Sequence, residues 1–291
     1  GDHRYLHSFP TRRSSDLDPG RNYVGWQFFR SEPWTFPPGA IRSYGHPVGT
    51  SVVFTDSIPL VAIPLKALAA VLPSEFQYFG LWILLSFGLQ GLFAGLLVGR
   101  LTQSPSALAL GSALLVLSPP MALRAFCHTA LVSHWLLLAA IYGYLQRRRK
   151  SFWAILLSGA TLVNFYLFCM AGVLWAASLV REWMELGRRP ARLAVLLPVA
   201  ACGASMLLAG YFTIGLSQAA TAMLGQYSMN LVAPFNPAPS WEFLFLKPLP
   251  LVGPEQWEGF NYLGAGVLFL AALGLIGLLL HPRRFRPYRD V

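Results

Sequence analysis

FQYFGLWILLSFGLQGLFAGLLVGR, residues 76–100, contains no acid or base before Arg100. As a helix, residues 76–99 would reach about 36 Å at about 1.5 Å per residue. A bilayer's hydrocarbon core is about 30 Å thick. This stretch is therefore read as a membrane-crossing helix, and it sets the reading of everything around it.

Six more apolar segments follow, at about 105–119, 129–145, 152–164, 166–180, 193–213 and 261–280. Several are shorter than a full span. Short apolar runs suit re-entrant or paired half-helices packed inside a bundle. Composition agrees, since 55% of the 291 residues are hydrophobic and 12% are charged. A soluble domain carries about 25% charged residues. The expected fold class is all-α, a polytopic transmembrane helical bundle with long external loops.

Charge gives the topology. The basic clusters are Arg100, then Arg147 to Lys150, then Arg181, Arg188, Arg189 and Arg192, then Arg283, Arg284, Arg286 and Arg289. Placing all four inside requires an even number of crossings between successive clusters. The hairpins 105–119/129–145, 152–164/166–180 and 193–213/261–280 supply them. Residues 18–75, 120–128, Asn164 to Tyr166 and 214–260 then lie outside, with the acids Asp18, Glu32, Asp56, Glu75, Glu242, Glu255 and Glu258. The net charge of +10 is explained by these clusters. With no basic recognition element, nucleic-acid binding is excluded.

Residues 1–17, GDHRYLHSFPTRRSSDL, are polar and lack the apolar core of a signal peptide. They resemble a translated sequencing adapter, from which only Tyr5 departs, and are set aside from the fold. The expected organisation is a first external loop at 18–75, a transmembrane bundle at 76–213, a second external loop at 214–260, and a final span with a basic tail at 261–291. The native N-terminus is expected to be missing, and the stop at Val291 suggests a second truncation. Residues 18–57 are aromatic and rich in Pro and Gly, an ordered loop or short helices. Residues 58–72 are an apolar but short run, interrupted by Lys66, and read as an interfacial or partly inserted helix.

Three constellations carry candidate chemistry. Asp18 and Asp56 lie in the first loop. A loop carboxylate is ordinarily a turn former or helix cap, and Asp56, before Ser57 and an apolar run, suits a cap. Its functional alternative is a base, or a metal-linked carboxylate, at the membrane face. In SPPMALRAFCHTALVSHW, residues 118–135, Arg124 and His128 share a helix face at i, i+4, with His134 further on. They read either as groups snorkelling at a helix end or as an anion site for a lipid phosphate. Residues 226–262 mix Asn230, Asn236, Glu258 and Asn261 with Tyr227, Trp241 and Trp257. That mixture suits a carbohydrate, and equally an interfacial aromatic belt. Cys127, Cys169 and Cys202 form no CxxC pair and no zinc spacing, and read as small apolar residues. No metal ligand set is read and no cofactor is assigned, although a divalent metal is compatible.

The runs DPGRNYVGWQFFRSEPWTFPPG, FTDSIPLVAIPLK, FQYFGLW, HTALVSHWLLLAA and YSMNLVAPFNP with EGFNYLG resemble a bacterial family of uncharacterised membrane proteins. That family is grouped with the GT-C superfamily of membrane glycosyltransferases, and the similarity spans essentially all of 18–280. The resemblance implies a GT-C-like bundle in the bacterial inner membrane. It implies a polyprenyl-phosphate-linked sugar donor, a glycan or lipid acceptor, and an external active site with an acid in the first loop. It assigns that acid to Asp18 first and Asp56 second. Arg124, His128, His134, Asn236, Glu258 and Asn261 are the expected substrate-binding residues. The span normally preceding the first loop lies outside the sequence. A transporter or flippase, and a non-catalytic membrane scaffold, are the alternatives.

Overall fold

The computed structural model describes residues 19–187, 191–213, 229–237, 249–250 and 261–281. In order, the described elements are α1 (Pro19–Ser31), β1 (Ala40–Ile41), β2 (Thr50–Ser51), α2 (Pro59–Ala67), α3 (Phe79–Val98), α4 (Pro105–Val116), α5 (Pro119–Cys127), α6 (Trp135–Leu145), α7 (Lys150–Val163), α8 (Phe165–Leu186), α9 (Arg192–Ala209) and α10 (Ala265–Leu280).

The helix that decides the sequence reading is α3. Its buried face is Trp82, Ser86, Gln90 and Ala94, one residue per turn, while Leu81, Leu84, Leu85, Leu92 and Leu96 are exposed. A helix of a soluble protein turns its leucines inward. Here the polar side chains face the bundle and the leucines face out, the arrangement a hydrocarbon surround favours.

Three helices, Phe79–Val98, Phe165–Glu185 and Arg192–Ala209, are long and apolar enough to cross a membrane. The pair α4 and α5, bent by 42° at its break, makes a fourth if counted as one span. Trp135–Leu145, Lys150–Val163 and Ala265–Leu280 are apolar but shorter.

Breaks fall where backbone chemistry dictates. Pro119 and Pro120 start α5, since proline fits a first turn but removes the donor that would continue α4. Asn164 ends α7 with extended backbone and caps α8, accepting the Tyr166 amide at 2.9 Å. Gly187, at φ 61, closes α8 in the left-handed region that favours glycine.

Side-chain pairs give the helix directions. Gly91 faces Val116 and Gly99 faces Leu108, so α3 and α4 are antiparallel. Ser86 meets Ser133 and Phe93 meets Tyr142, so α3 and α6 run the same way. Arg181 of α8 donates to the Tyr144 carbonyl, and Arg147 pairs with Glu185. Arg100, Arg147 to Lys150 and Arg181 therefore gather at one end of the bundle, the basic end.

The opposite end carries a layer made from residues 19–78. The expected loop or short helices of 18–57 contain α1 and an antiparallel strand pair, with Ala40 opposite Ser51 and Ile41 opposite Thr50. This pair is the one departure from an all-α chain among the described residues. The Gly39 amide donates to Leu208 O at 2.9 Å, tying the pair to the last turn of α9. Trp26, Phe29, Ile41, Val52 and Ile58 are fully buried beneath it. The Arg30 guanidinium reaches the carbonyls of Pro73, Ser74, Ala69 and Leu72 at 2.7 to 3.1 Å, closing the turn after α2.

Lys66, which breaks the apolar run, is buried on α2, its ammonium 4.3 Å from the Phe29 ring centre and 4.7 Å from that of Trp34. Such stacking substitutes for lost hydration. Glu32, also buried, accepts the Arg42 amide at 3.1 Å, the Ser43 amide at 3.2 Å and the Ser43 hydroxyl. Burial alone would raise the Glu32 carboxyl. The Ser43 hydroxyl, the Ser43 and Arg42 amides and the Lys66 charge together outweigh it, leaving the group below its usual range.

Candidate functional site

The turn from Val52 to Ile58 holds Asp56 in a conformation few residues adopt. Asp56 has φ 56 and Ile58 has φ 51, both left-handed. For a β-branched residue such as Ile58 this is a strained state. The turn is fixed from inside. The Thr55 hydroxyl donates to Val52 O at 3.0 Å and lies 2.8 Å from the Ser57 hydroxyl, which donates to Asn22 O at 2.9 Å. A Cβ on Gly25 would fall 2.4 Å from Thr55 Cβ, so glycine there lets α1 lie against the turn. The sequence expectation that Asp56 caps α2 is corrected. The cap position is Ile58, whose own side chain makes no capping hydrogen bond.

Asp56 instead lies near Tyr211, just past the end of α9. The Tyr211 hydroxyl donates to Thr161 O at 2.7 Å, and its ring meets Phe54 and Phe165. Burial pushes the Tyr211 phenol well up, and the nearby Asp56 carboxylate adds to the push. The phenol is a fixed neutral donor.

Arg124 and His128 lie at the end of α5, with the His128 amide donating to Arg124 O at 2.9 Å. The helical spacing read from sequence is thus present. His134 precedes α6. Burial first, and the Arg124 charge second, bring it down to about 4. At neutral pH His134 is uncharged, so its role can be hydrogen bonding but not charge pairing.

Two hydrogen bonds link these groups. Ser57, which follows Asp56, donates to the main chain of Asn22, and the Asn22 side-chain amide donates to Thr129 Oγ1 at 3.3 Å. Thr129 follows His128. These two bonds tie the turn that carries Asp56 to the turn that follows Arg124 and His128, with Asn22 between them. Asn22, Ser57 and Thr129 are all buried, and none stood out in the sequence.

Of the other expected residues, Asp18 and Glu258 lie outside the described residues. Asn236 is fully buried, and its amide is taken up by the loop itself. It donates to Leu249 O at 3.2 Å and accepts Leu249 N at 2.7 Å. Asn261 is half-buried beside the buried Tyr262, and the Leu263 amide donates to Pro234 O at 3.0 Å. A Cβ on Gly264 would meet Pro119 at 3.4 Å, which brings this flank to the start of α5. Among the described residues no group of three His, Cys, Asp or Glu could hold a metal ion.

Fold and site together define a helical protein of membrane type. An aromatic layer closes one end and presents an acid, and arginines cluster at the other. The chain belongs to the family described as domain of unknown function DUF6311, whose model matches residues 5–289. No curated protein and no solved structure matches it.

Proposed function

We propose that this is an integral protein of a bacterial inner membrane that transfers a sugar from a polyprenyl-phosphate donor at the external face. The layer built from residues 19–78 would face outside and the basic end inside, as the positive-inside rule orders them. The network Ser57–Asn22–Thr129 is the observation that supports the reading, because it ties the turn that carries Asp56 to the turn that follows Arg124 and His128.

In the reaction, the acceptor hydroxyl gives its proton to a loop carboxylate, Asp56 or Asp18, as its oxygen bonds to the anomeric carbon. The bond from that carbon to the phosphate oxygen breaks, and the electron pair leaves with the polyprenyl phosphate. Arg124, with a hydrogen bond from His128, takes up the charge growing on that phosphate. The exposed leucines of α3 offer the polyprenyl chain an apolar flank. The neutral polar stripe of α3, Ser86 and Gln90, holds no ionisable group, so the transporter alternative draws no ion pathway from it.

The test is transfer of labelled sugar from a polyprenyl-phosphate donor in membranes carrying the protein. Loss of about a hundredfold or more is expected in an Asp18→Asn, Asp56→Asn double variant. Undiminished turnover in that variant would remove both acids from the mechanism.

A further inference from the structure

The turn joining α6 to α7 is built in an unusual way. The Arg147 amide donates to Tyr144 O and the Arg148 amide to Gly143 O at 2.9 Å. That pairing is the usual helix-ending turn, in which the left-handed residue is glycine. Here the residue is Arg147, at φ 51. A side chain is kept where the backbone favours none.

The turn encloses a recess of about 330 Å³ lined by Gln146, Arg147, Arg148, Arg149, Ser151 and Phe152. Phe152 forms one wall. It packs so tightly on α6 that a Cβ on Gly143 would lie 2.3 Å from the ring. Arg147 spends its charge on Glu185. Arg148 is steered by Tyr142, donating to its hydroxyl at 2.9 Å with the guanidinium 5.1 Å from the ring centre. Among the described residues no acid pairs with Arg148 or Arg149. The recess also opens on the start of α7, where no side chain caps the first turn. The Phe152 amide already bonds Arg149 O, which leaves the Lys150 and Ser151 amides and the Ser151 hydroxyl as donors for an anion.

We propose that this recess binds the phosphate of an anionic membrane phospholipid. Two guanidiniums fork onto phosphate oxygens, and the α7 amides with Ser151 complete the cradle. A lipid is favoured over a free anion by position. The recess lies between the end of one apolar helix and the start of another, and Ile141 and Ile155 on those helices are exposed, as a membrane-facing surface would have them. The inference rests on the membrane placement proposed above and is independent of sugar transfer.

The experiment uses the full chain in neutral detergent. Heat stability is measured against added phosphatidylglycerol, phosphatidylcholine or inorganic phosphate. Phosphatidylglycerol alone is expected to stabilise the protein at low concentration. In an Arg148→Ala, Arg149→Ala variant its apparent affinity is expected to fall about thirtyfold. If that variant does not run as a single species, Arg148→Lys with Arg149→Lys replaces it; a partial loss is then expected, since charge is kept and the forks are not. Equal stabilisation of variant and parent by phosphatidylglycerol overturns the site. Equal stabilisation by phosphatidylcholine or inorganic phosphate overturns the assignment to an anionic lipid. A protein that inserts in vesicles yet shows no preference for phosphatidylglycerol loses this inference while keeping the membrane reading. One that does not insert loses both.

Discussion

The Asn22 side-chain amide donates to the Thr129 hydroxyl at 3.3 Å across 107 residues of chain. One buried contact thus fixes α1, which carries the left-handed Asp56 turn through Ser57, against the turn that follows Arg124 and His128. Asn22→Ala is expected to cost about 1–2 kcal/mol of stability, a typical figure for a buried hydrogen bond broken on one side. Thr129→Val should cost a similar amount, and the double variant little more than either alone. If the proposed transfer is correct, turnover in Asn22→Ala falls further than stability does. A well-folded Asn22→Ala with full turnover would separate this contact from the chemistry.

Glu32 predicts an acid dependence. Its carboxyl sits below the usual value near 4.5 in the folded chain. A depressed carboxyl lends stability that is complete above the unfolded value and is lost as pH falls through the folded one. Melting temperature should therefore be insensitive to this group near neutrality and decline below about pH 4.5. Glu32→Gln should lower stability at pH 7 and flatten that decline. Lys66→Met removes the neighbouring charge, brings the folded carboxyl closer to its unfolded value, and should shrink the decline and end it at a higher pH. Parallel acid limbs in all three proteins would show that the Ser43 and Arg42 bonds do not depend on the charge.

The legible part of this protein is the part written in long apolar runs. Residues 76–100 and the later segments gave the helices of the bundle, and Pro119 and Pro120 marked one break, because proline acts locally. The charge clusters fixed which helix ends lie together. The layer over 19–78 was less legible. PGRNYVGWQFFRS buries Asn22, Trp26 and Phe29 along one side of α1, but its aromatics equally suit an interface. Asp56 looked like a cap because a cap is judged from the next few residues, whereas here the chain turns left-handed under contacts made with α1. Lys66 breaks the apolar run of α2, and what buries it could not be read locally, because its partners, Phe29, Trp34 and Glu32, are more than thirty residues away. Contacts of that kind leave no local pattern.

Gly39 is expected to tolerate no side chain. A Cβ there would fall 2.1 Å from the Ala209 carbonyl oxygen. The obstacle is main chain, held by the bond from the Gly39 amide to Leu208, so it cannot rotate aside. Gly39→Ala should separate the strand pair from the end of α9 and cost about 2 kcal/mol or more, at the upper part of the range for overpacking. Hydrogen exchange is expected to rise at Val52, whose amide bonds Gly39 O at 2.8 Å. Unchanged protection there would mean that the hairpin holds without α9.

Arg147 allows strain and ion pairing to be measured apart. Its guanidinium forks onto Glu185 at 2.5 and 3.0 Å, but the pair is largely exposed, 67% and 37% for the two side chains. Exposed pairs contribute about 0–1 kcal/mol. The left-handed backbone costs a residue with a Cβ about 1–2 kcal/mol relative to glycine. Arg147→Gly loses the pair and sheds the strain, so its stability should match or slightly exceed that of the parent. Arg147→Ala loses the pair and keeps the strain, so it should be less stable than Arg147→Gly by about 1 kcal/mol. High salt should narrow the gap between the parent and Arg147→Ala but leave the gap between the two variants unchanged, because screening acts on charges and not on backbone angles. Thermal unfolding of the three proteins at low and high salt gives all of these differences. If the two variants were equally stable, the left-handed turn would carry no strain, and the ion pair alone would account for arginine at this position.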